Sequence, residues 1–298
     1  MNYDPRRAEL ADFLRTRRLA LQPEDVGLPP RTSRRTPGLR REDVADLAGI
    51  SSCWYSQLEQ ARNIRVSDHV LNSLAGALRL NGEERDYLLV LASEDARSSA
   101  NVPTDGVLPA LQRILDNQLP HPAFALGPRF DILAWNQAST DVYGDLAKIT
   151  PAHRHLLWLF FSDHMRELIL NWEPSARSVL AEFRAATGLY VHEAWFTTLV
   201  HELTQNSPDF RRWWQQHEIG RSGVTTREVK HPSVGRMMLE ETALVIDDGS
   251  GRRVILDIPQ PGTGTEEKLT ALSWRYHRVQ APPHRELGPA SRSQRNNR

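Results

Sequence analysis

Apolar residues recur at helical spacing from near the start of the chain. Leu10, Phe13, Leu14 and Leu21 fall close to a 3.6-residue period and predict a helix over residues 8–21. Pro23, Pro29, Pro30 and Pro37 then interrupt any regular element as far as Gly38. From Arg41 to Leu80 the period returns, with Val44, Leu47, Leu58, Val70, Leu71, Leu74 and Leu78 on faces predicted to be buried, and a further helix fits Glu83 to Ala92. About five helices and no strand predict an all-α first domain over residues 1–95. The small, polar stretch from Ser93 to Gly106 reads as a connection, placed at 96–107.

The second half changes character. A helix is expected over Leu108–Gln118, a short strand over Phe130–Trp135, and a helix after Asn136. Further helices are predicted at Arg154–Phe161, Pro174–Gly188, Ala194–Gln205 and Pro208–Gln216. Thr225–Val229 and Val234–Ile246 carry a period-two tendency, Asp247-Asp248-Gly249-Ser250-Gly251 signals a hairpin, and Arg253–Ile258 returns. Leu269–Trp274 is expected to close the sheet. Helices flanking an antiparallel sheet make an α+β domain over residues 108–277. The Arg-, Pro-, Ser- and Asn-rich tail, 278–298, is expected to be disordered.

Composition adds bounds. A chain of 298 residues with 40% apolar and 25% charged residues is long enough for two ordinary globular domains. The single cysteine, Cys53, excludes an intramolecular disulfide and a thiolate metal cage, which points to a reducing, cytoplasmic setting. No apolar run approaches the ~20 residues of a membrane span, so no membrane role is expected. Lys+Arg and Asp+Glu both total 37, so net charge is silent about nucleic acid. Local charge is not: Arg31, Arg34, Arg35, Arg40 and Arg41 fall within residues 31–41 without one acid. Such a run reads as a phosphate-facing cluster or as a solvated loop.

The run from Arg41 to Gln60 reads as helix, tight turn, helix. Ala45 and Ala48 let two helices cross closely, Gly49 ends the first in a left-handed conformation, Ile50 plugs the turn, Ser51 caps the second helix, and Tyr55 and Leu58 pack inward. That geometry projects the second helix into a major groove. Ser52, Cys53, Ser56 and Gln57 then face outward, with Gln57 suited to adenine and the serines to several base edges. Ser51, Arg62, Arg40 and Arg41 fall where phosphates run. An ordinary helical hairpin is the bland alternative. The combination of small-residue spacing, glycine turn, apolar plug and nearby basic segment favours DNA.

Arg35-Thr36-Pro37-Gly38-Leu39-Arg40-Arg41-Glu42-Asp43-Val44-Ala45 and Trp54-Tyr55-Ser56-Gln57-Leu58-Glu59-Gln60-Ala61-Arg62 closely resemble the MmyB-like branch of the Xre helix-turn-helix regulators. Leu133-Ala134-Trp135-Asn136, Phe210-Arg211-Arg212-Trp213-Trp214 and His231-Pro232-Ser233-Val234-Gly235 resemble that family's second domain, so the likeness spans about residues 8–275. It implies a multidomain protein: an all-α, lambda-repressor-like helix-turn-helix domain, then an α+β, PAS-like ligand-binding domain with an antiparallel sheet. It also implies a fatty-acid-like ligand, and an ion pair between Arg18 and Glu59. Ala61 departs from the family, which usually has Gly there.

Within that resemblance, Trp135, Leu157, Phe160, Phe161, Trp195 and Leu199 are expected to wall a ligand cavity, although core packing accounts for most aromatics in this half. Asn136 reads as a helix cap or as a group for a ligand's polar head; its place between strand and helix favours the cap. Catalytic and metal patterns are weak. His192-Glu193 meets Phe196, and His201-Glu202 meets Gln205, where a zinc-protease helix needs a second histidine. His153 and His155, two apart, are expected on the surface. No phosphate loop or nucleophile elbow is found, and no cofactor, metal or enzymatic activity is expected. The sequence therefore predicts a sequence-specific DNA-binding regulator, dimeric on a double-stranded operator. Its second domain either senses a small apolar or acyl ligand or only dimerises or docks a partner protein.

Overall fold

The computed structural model describes residues 4–30, 38–93, 109–220 and 225–280. Arg31, Arg34 and Arg35, the expected connection at 96–107 and the tail beyond 280 lie outside the described residues.

The first part is helical: α1 (Pro5–Ala20), α2 (Arg41–Ala48), α3 (Ser52–Glu59), α4 (Asp68–Ala77) and α5 (Gly82–Ala92), with a 3-10 turn at Pro23–Val26. Asp4, Ser51, Ser67 and Asn81 each cap a helix through a side-chain oxygen. The core gathers Phe13, Leu14, Leu39, Val44, Ala45, Tyr55, Leu74 and Leu88. Leu47, predicted to be buried, is exposed. The buried stripe of α2 runs through Val44, Ala45 and Ala48, and Leu47 sits on its flank.

The second part runs α6 (Pro109–Asp116), β1 (Ala123–Leu126), β2 (Ile132–Trp135), α7 (Gln137–Tyr143), α8 (Leu156–Phe160), α9 (Asp163–Leu168), α10 (Trp172–Thr187), α11 (Ala194–Asn206), α12 (Pro208–Trp214), β3 (Thr225–His231), β4 (Gly235–Val245), β5 (Arg253–Pro259) and α13 (Thr265–Gln280). The strands form one antiparallel sheet in the order β2-β1-β5-β4-β3. On one face it packs on α7–α12 and α13 through a core that includes Phe124, Phe160, Trp172, Phe183, Leu239 and Ile255. On the other, α6 covers Ala123, Ala125, Ala134 and Val254 with Leu111 and Leu115.

Two expectations change. Leu269–Trp274 is not a strand: it belongs to α13, because Leu269 and Leu272 are three apart and both buried, a helical stripe opened by Glu266 and Glu267 at its N-terminus. That helix also carries regular structure past residue 277 to Gln280. Unpredicted β1 lies between β2 and β5, buried at all four positions, so no alternation betrays it.

Asn136 caps α7, its Oδ1 accepting from Ser139 N (3.0 Å) and Ala123 N (3.1 Å). Its Nδ2 donates to Leu115 O (3.0 Å) and His121 O (2.8 Å), so one buried amide joins α6, β1 and α7.

Candidate nucleic-acid interface and ligand cavity

Gly49 ends α2 at φ 68°, and Ile50 N donates to Ala45 O (2.9 Å), closing the turn. Ser51 Oγ accepts from Trp54 N (3.2 Å) and starts α3. Tyr55, Leu58 and Glu59 are the buried positions of that helix. Ser52 and Cys53 are exposed and Ser56 and Gln57 half-exposed. With Gln60, Arg62 and Asn63, the side chains of Cys53, Ser56 and Gln57 border a shallow concavity.

Glu59 anchors the helix from behind. Its carboxylate is fully buried and accepts from Arg18 Nε (2.5 Å) and Nη2 (3.0 Å), while Arg18 Nη1 donates to Leu39 O (2.8 Å). Arg41 Nε adds a third bond to Glu59, at 2.6 Å. Burial pushes the Glu59 carboxyl up, but Arg18 and Arg41 outweigh it and hold the group below its ordinary value. Gly38 makes this approach possible. At φ +72°, a Cβ there would sit 2.5 Å from Leu19 O, inside the backbone of α1.

The second domain holds a cavity of about 500 Å³ between α7, α8, α9 and the intervening turns. Leu146, Ile149, Trp158 and Leu159 supply apolar wall, and His153 and His164 supply polar groups. His164 Nε2 lies 3.0 Å from Tyr143 O, and the His153 and Trp158 rings are 4.6 Å apart. Tyr143, also in the wall, donates through its hydroxyl to Asp257 Oδ2 (2.7 Å). Asp257 pairs with Arg227 (3.3 Å), which pairs in turn with Glu241. The cavity wall is thus bonded to a buried charge cluster spanning β3, β4 and β5. Burial, with Glu241 nearby, pushes Asp257 up to about 6 against the pull of Arg227. Among the described residues no group of three or more His, Cys, Asp or Glu is placed to hold a metal ion.

Residues 107–272 match the family model of the MmyB-like transcription regulator ligand binding domain, and residues 9–88 match a helix-turn-helix domain model. The chain belongs to the MmyB-like transcription regulators. It is a DNA-binding transcription regulator with a ligand-binding domain. No curated protein matches it. Among the described residues, no helix is long and apolar enough to cross a membrane.

Of the residues expected on DNA in this MmyB-like chain, Ser51, Ser52, Cys53, Ser56 and Gln57 run along α3 with Arg62 just past its end, Arg40 and Arg41 lie at the start of α2, and Cys53, Ser56, Gln57 and Arg62 border one concavity. Arg41 is 42% exposed but has its Nε committed to Glu59. Gln60 and Asn63 share the concavity and were missed, for they lie at and beyond the end of the periodic run.

The six expected ligand-wall residues do not border the 500 Å³ cavity. Leu157 and Phe160 are fully buried on the inner side of α8, Phe160 beneath the Arg227 guanidinium at 4.9 Å. Phe161 packs edge-on against Trp172 and Phe210, and Leu199 belongs to the same core. Trp135 lies against Arg154, and Trp195 against Arg129. The signal for the cavity was the run Leu156-Leu157-Trp158-Leu159-Phe160-Phe161, apolar all round: one side serves the core, leaving Trp158 and Leu159 for the opening. His155, expected on the surface, is buried, its Nε2 at 2.6 Å from Arg129 O and its Nδ1 accepting from Leu157 N (3.2 Å). Those two backbone partners make burial of an imidazole tolerable.

Proposed function

We propose that this regulator reads duplex DNA with α3 as a cytoplasmic dimer, and that a small apolar or fatty-acid-like molecule held by the second domain changes its grip. The observation that carries the first half is the outward edge from Ser52 to Gln57 on a helix whose opposite side is pinned by buried Glu59. Gln57 pairs with adenine, Ser52, Cys53 and Ser56 meet neighbouring base edges, and Ser51, Arg62, Arg40 and Arg41 meet phosphates. A dimer follows from the few base pairs that one such helix reads. Leu244 and Ile258, exposed on the α6 side of the sheet, offer apolar surface for it.

A five-stranded antiparallel sheet with α7–α12 inserted between β2 and β3 supports a PAS-like second domain. The cavity beside Trp158 has the size and apolar lining of a small-molecule site. Both matched models describe regulator domains, which supports a protein that binds rather than catalyses. The second reading, a domain that only dimerises or docks a partner protein, is favoured by the close packing of Leu157, Phe160 and Phe161.

Selection of binding sites from random duplex DNA with the intact chain tests the first half. Gln57→Ala should then lose discrimination at one base position by about tenfold or more. Arg62→Ala should weaken all sites alike and flatten the salt dependence. Native mass spectrometry of the purified chain and thermal shifts with fatty acids of graded length test the second half. No bound molecule and no shift with any acid would leave the docking reading standing.

A further inference from the structure

We propose that Glu9 and Arg184 are positioning residues for DNA reading: they fix α1 against the ligand-binding domain, and α1 in turn fixes the recognition helix.

At the junction of the two domains, Arg184 of α10 is 1% exposed, its guanidinium lying 4.0 Å over the Trp214 ring and donating to Trp214 O. Its counter-charge comes from the other domain, Glu9 Oε1 at 3.7 Å. The same oxygen accepts from the Tyr87 hydroxyl (2.9 Å) and lies 3.1 Å from His217 Nδ1. Arg17, two turns further along α1, donates to His217 O (2.5 Å) and pairs with Glu84 (2.9 Å). Apolar contact accompanies these charges. Ile219 enters the core of the helical domain, and a Cβ on Gly188 would come within 2.7 Å of the Tyr87 ring.

A charged pair in such a place specifies register. A slide of a few ångströms would leave Arg184 buried beside an aromatic ring without its carboxylate, which low-dielectric surroundings penalise heavily. On the ligand-domain side Trp214 stacks on Phe210 at 5.5 Å and packs against Phe196 at 6.0 Å, so Arg184 reports the position of the aromatic interior. On the DNA-domain side the next residue after Arg17 is Arg18, the partner of Glu59 on α3. One helix therefore carries both attachments.

Hydrogen exchange of the intact chain, with neither operator nor ligand added, tests this. Glu9→Gln and Arg184→Met should each speed exchange of the α3 amides by tenfold or more relative to those of α4, which α1 does not hold by charge. Glu9→Gln/Arg184→Met should fall short of the product of the two single effects, because it strands no charge, and for the same reason it remains usable if a single variant does not fold. Unchanged α3 exchange in the double variant, or equal acceleration across α2–α5, would overturn the proposal and leave the pair as glue between domains.

Discussion

Replacing Glu59 by glutamine keeps the shape of the side chain and removes its charge. The carboxylate is completely shielded from solvent and accepts bonds of 2.5, 3.0 and 2.6 Å, two from Arg18 and one from Arg41. Glutamine has one acceptor oxygen, so its NH2 must face a guanidinium. Arg18, only 7% exposed, is then left charged without compensation. Breaking a buried pair in this way costs about 3–5 kcal/mol. Arg41 contributes little of that, because at 42% exposure its share is screened by water. Against a typical domain stability of about 5–15 kcal/mol, the loss is a large fraction of what holds the helical domain together. Urea unfolding of the intact chain, followed by a probe of the helical domain, should show that domain's midpoint fall sharply in Glu59→Gln and hardly at all in Arg41→Gln. Arg18→Met/Glu59→Leu should recover most of the loss, since no charge stays buried alone. Affinity for a selected DNA site, read by fluorescence anisotropy, should drop with Glu59→Gln by about tenfold or more, as α3 loses its rear anchor. Unfolding within ~0.5 kcal/mol of the parent, the range of ordinary surface changes, would refute the reasoning.

Three further outcomes follow from local geometry. Ala61 closes α3 at φ 56°, a left-handed conformation that costs a residue with a Cβ, so Ala61→Gly should stabilise the helical domain by about 0.5–1 kcal/mol in urea titration; destabilisation would contradict it. Burial depresses His155 to about 4 from the ordinary 6.5. Its contribution is complete above pH 6.5 and lost as pH falls toward 4, about 3 kcal/mol in all, and His155→Gln should flatten that slope of second-domain stability. Asn136→Ala leaves Ala123 N, Ser139 N, Leu115 O and His121 O without their side-chain partner and should cost about 3 kcal/mol, detected as a lower melting temperature of the second domain.

The helix-turn-helix was legible because each of its parts has a local cause: Gly49 at the turn, Ser51 as the cap, Tyr55 and Leu58 one turn apart on the inner face. The Asn136 cap and the Gly249–Gly251 hairpin were legible for the same reason. What escaped depends on contacts between residues far apart in sequence. β1 carries no alternation because both its faces are covered, and α13 looks strand-like until Leu269 and Leu272 meet the core. Of the expected wall residues, Leu157, Phe160 and Phe161 miss the opening beside Trp158 by one face of the α8 run, whereas Trp135, Trp195 and Leu199 lie on other elements altogether. In an all-apolar run such as Leu156–Phe161, nothing local says which side meets the sheet, and Leu157 and Phe160 turn inward where Trp158 and Leu159 turn out.

The balanced charge total hides where those charges act. Arg18–Glu59 joins α1 to α3, Arg184–Glu9 joins the two domains, and Arg227 with Glu241 and Asp257 ties three strands together beside the cavity wall. Each set is largely removed from water and links elements that are not neighbours in the chain. Apolar packing of similar volume would often hold such elements as firmly or more so, so added stability is a weak reason for burying these ions. What a paired charge supplies that a methyl group does not is intolerance of sliding: the energy rises steeply once donor and acceptor part. The proposed function needs that property between the cavity and α3. Tyr143 stands in the cavity wall with its hydroxyl on Asp257, where the strand cluster begins, and Glu59 holds α3 to α1 near the end of that helix.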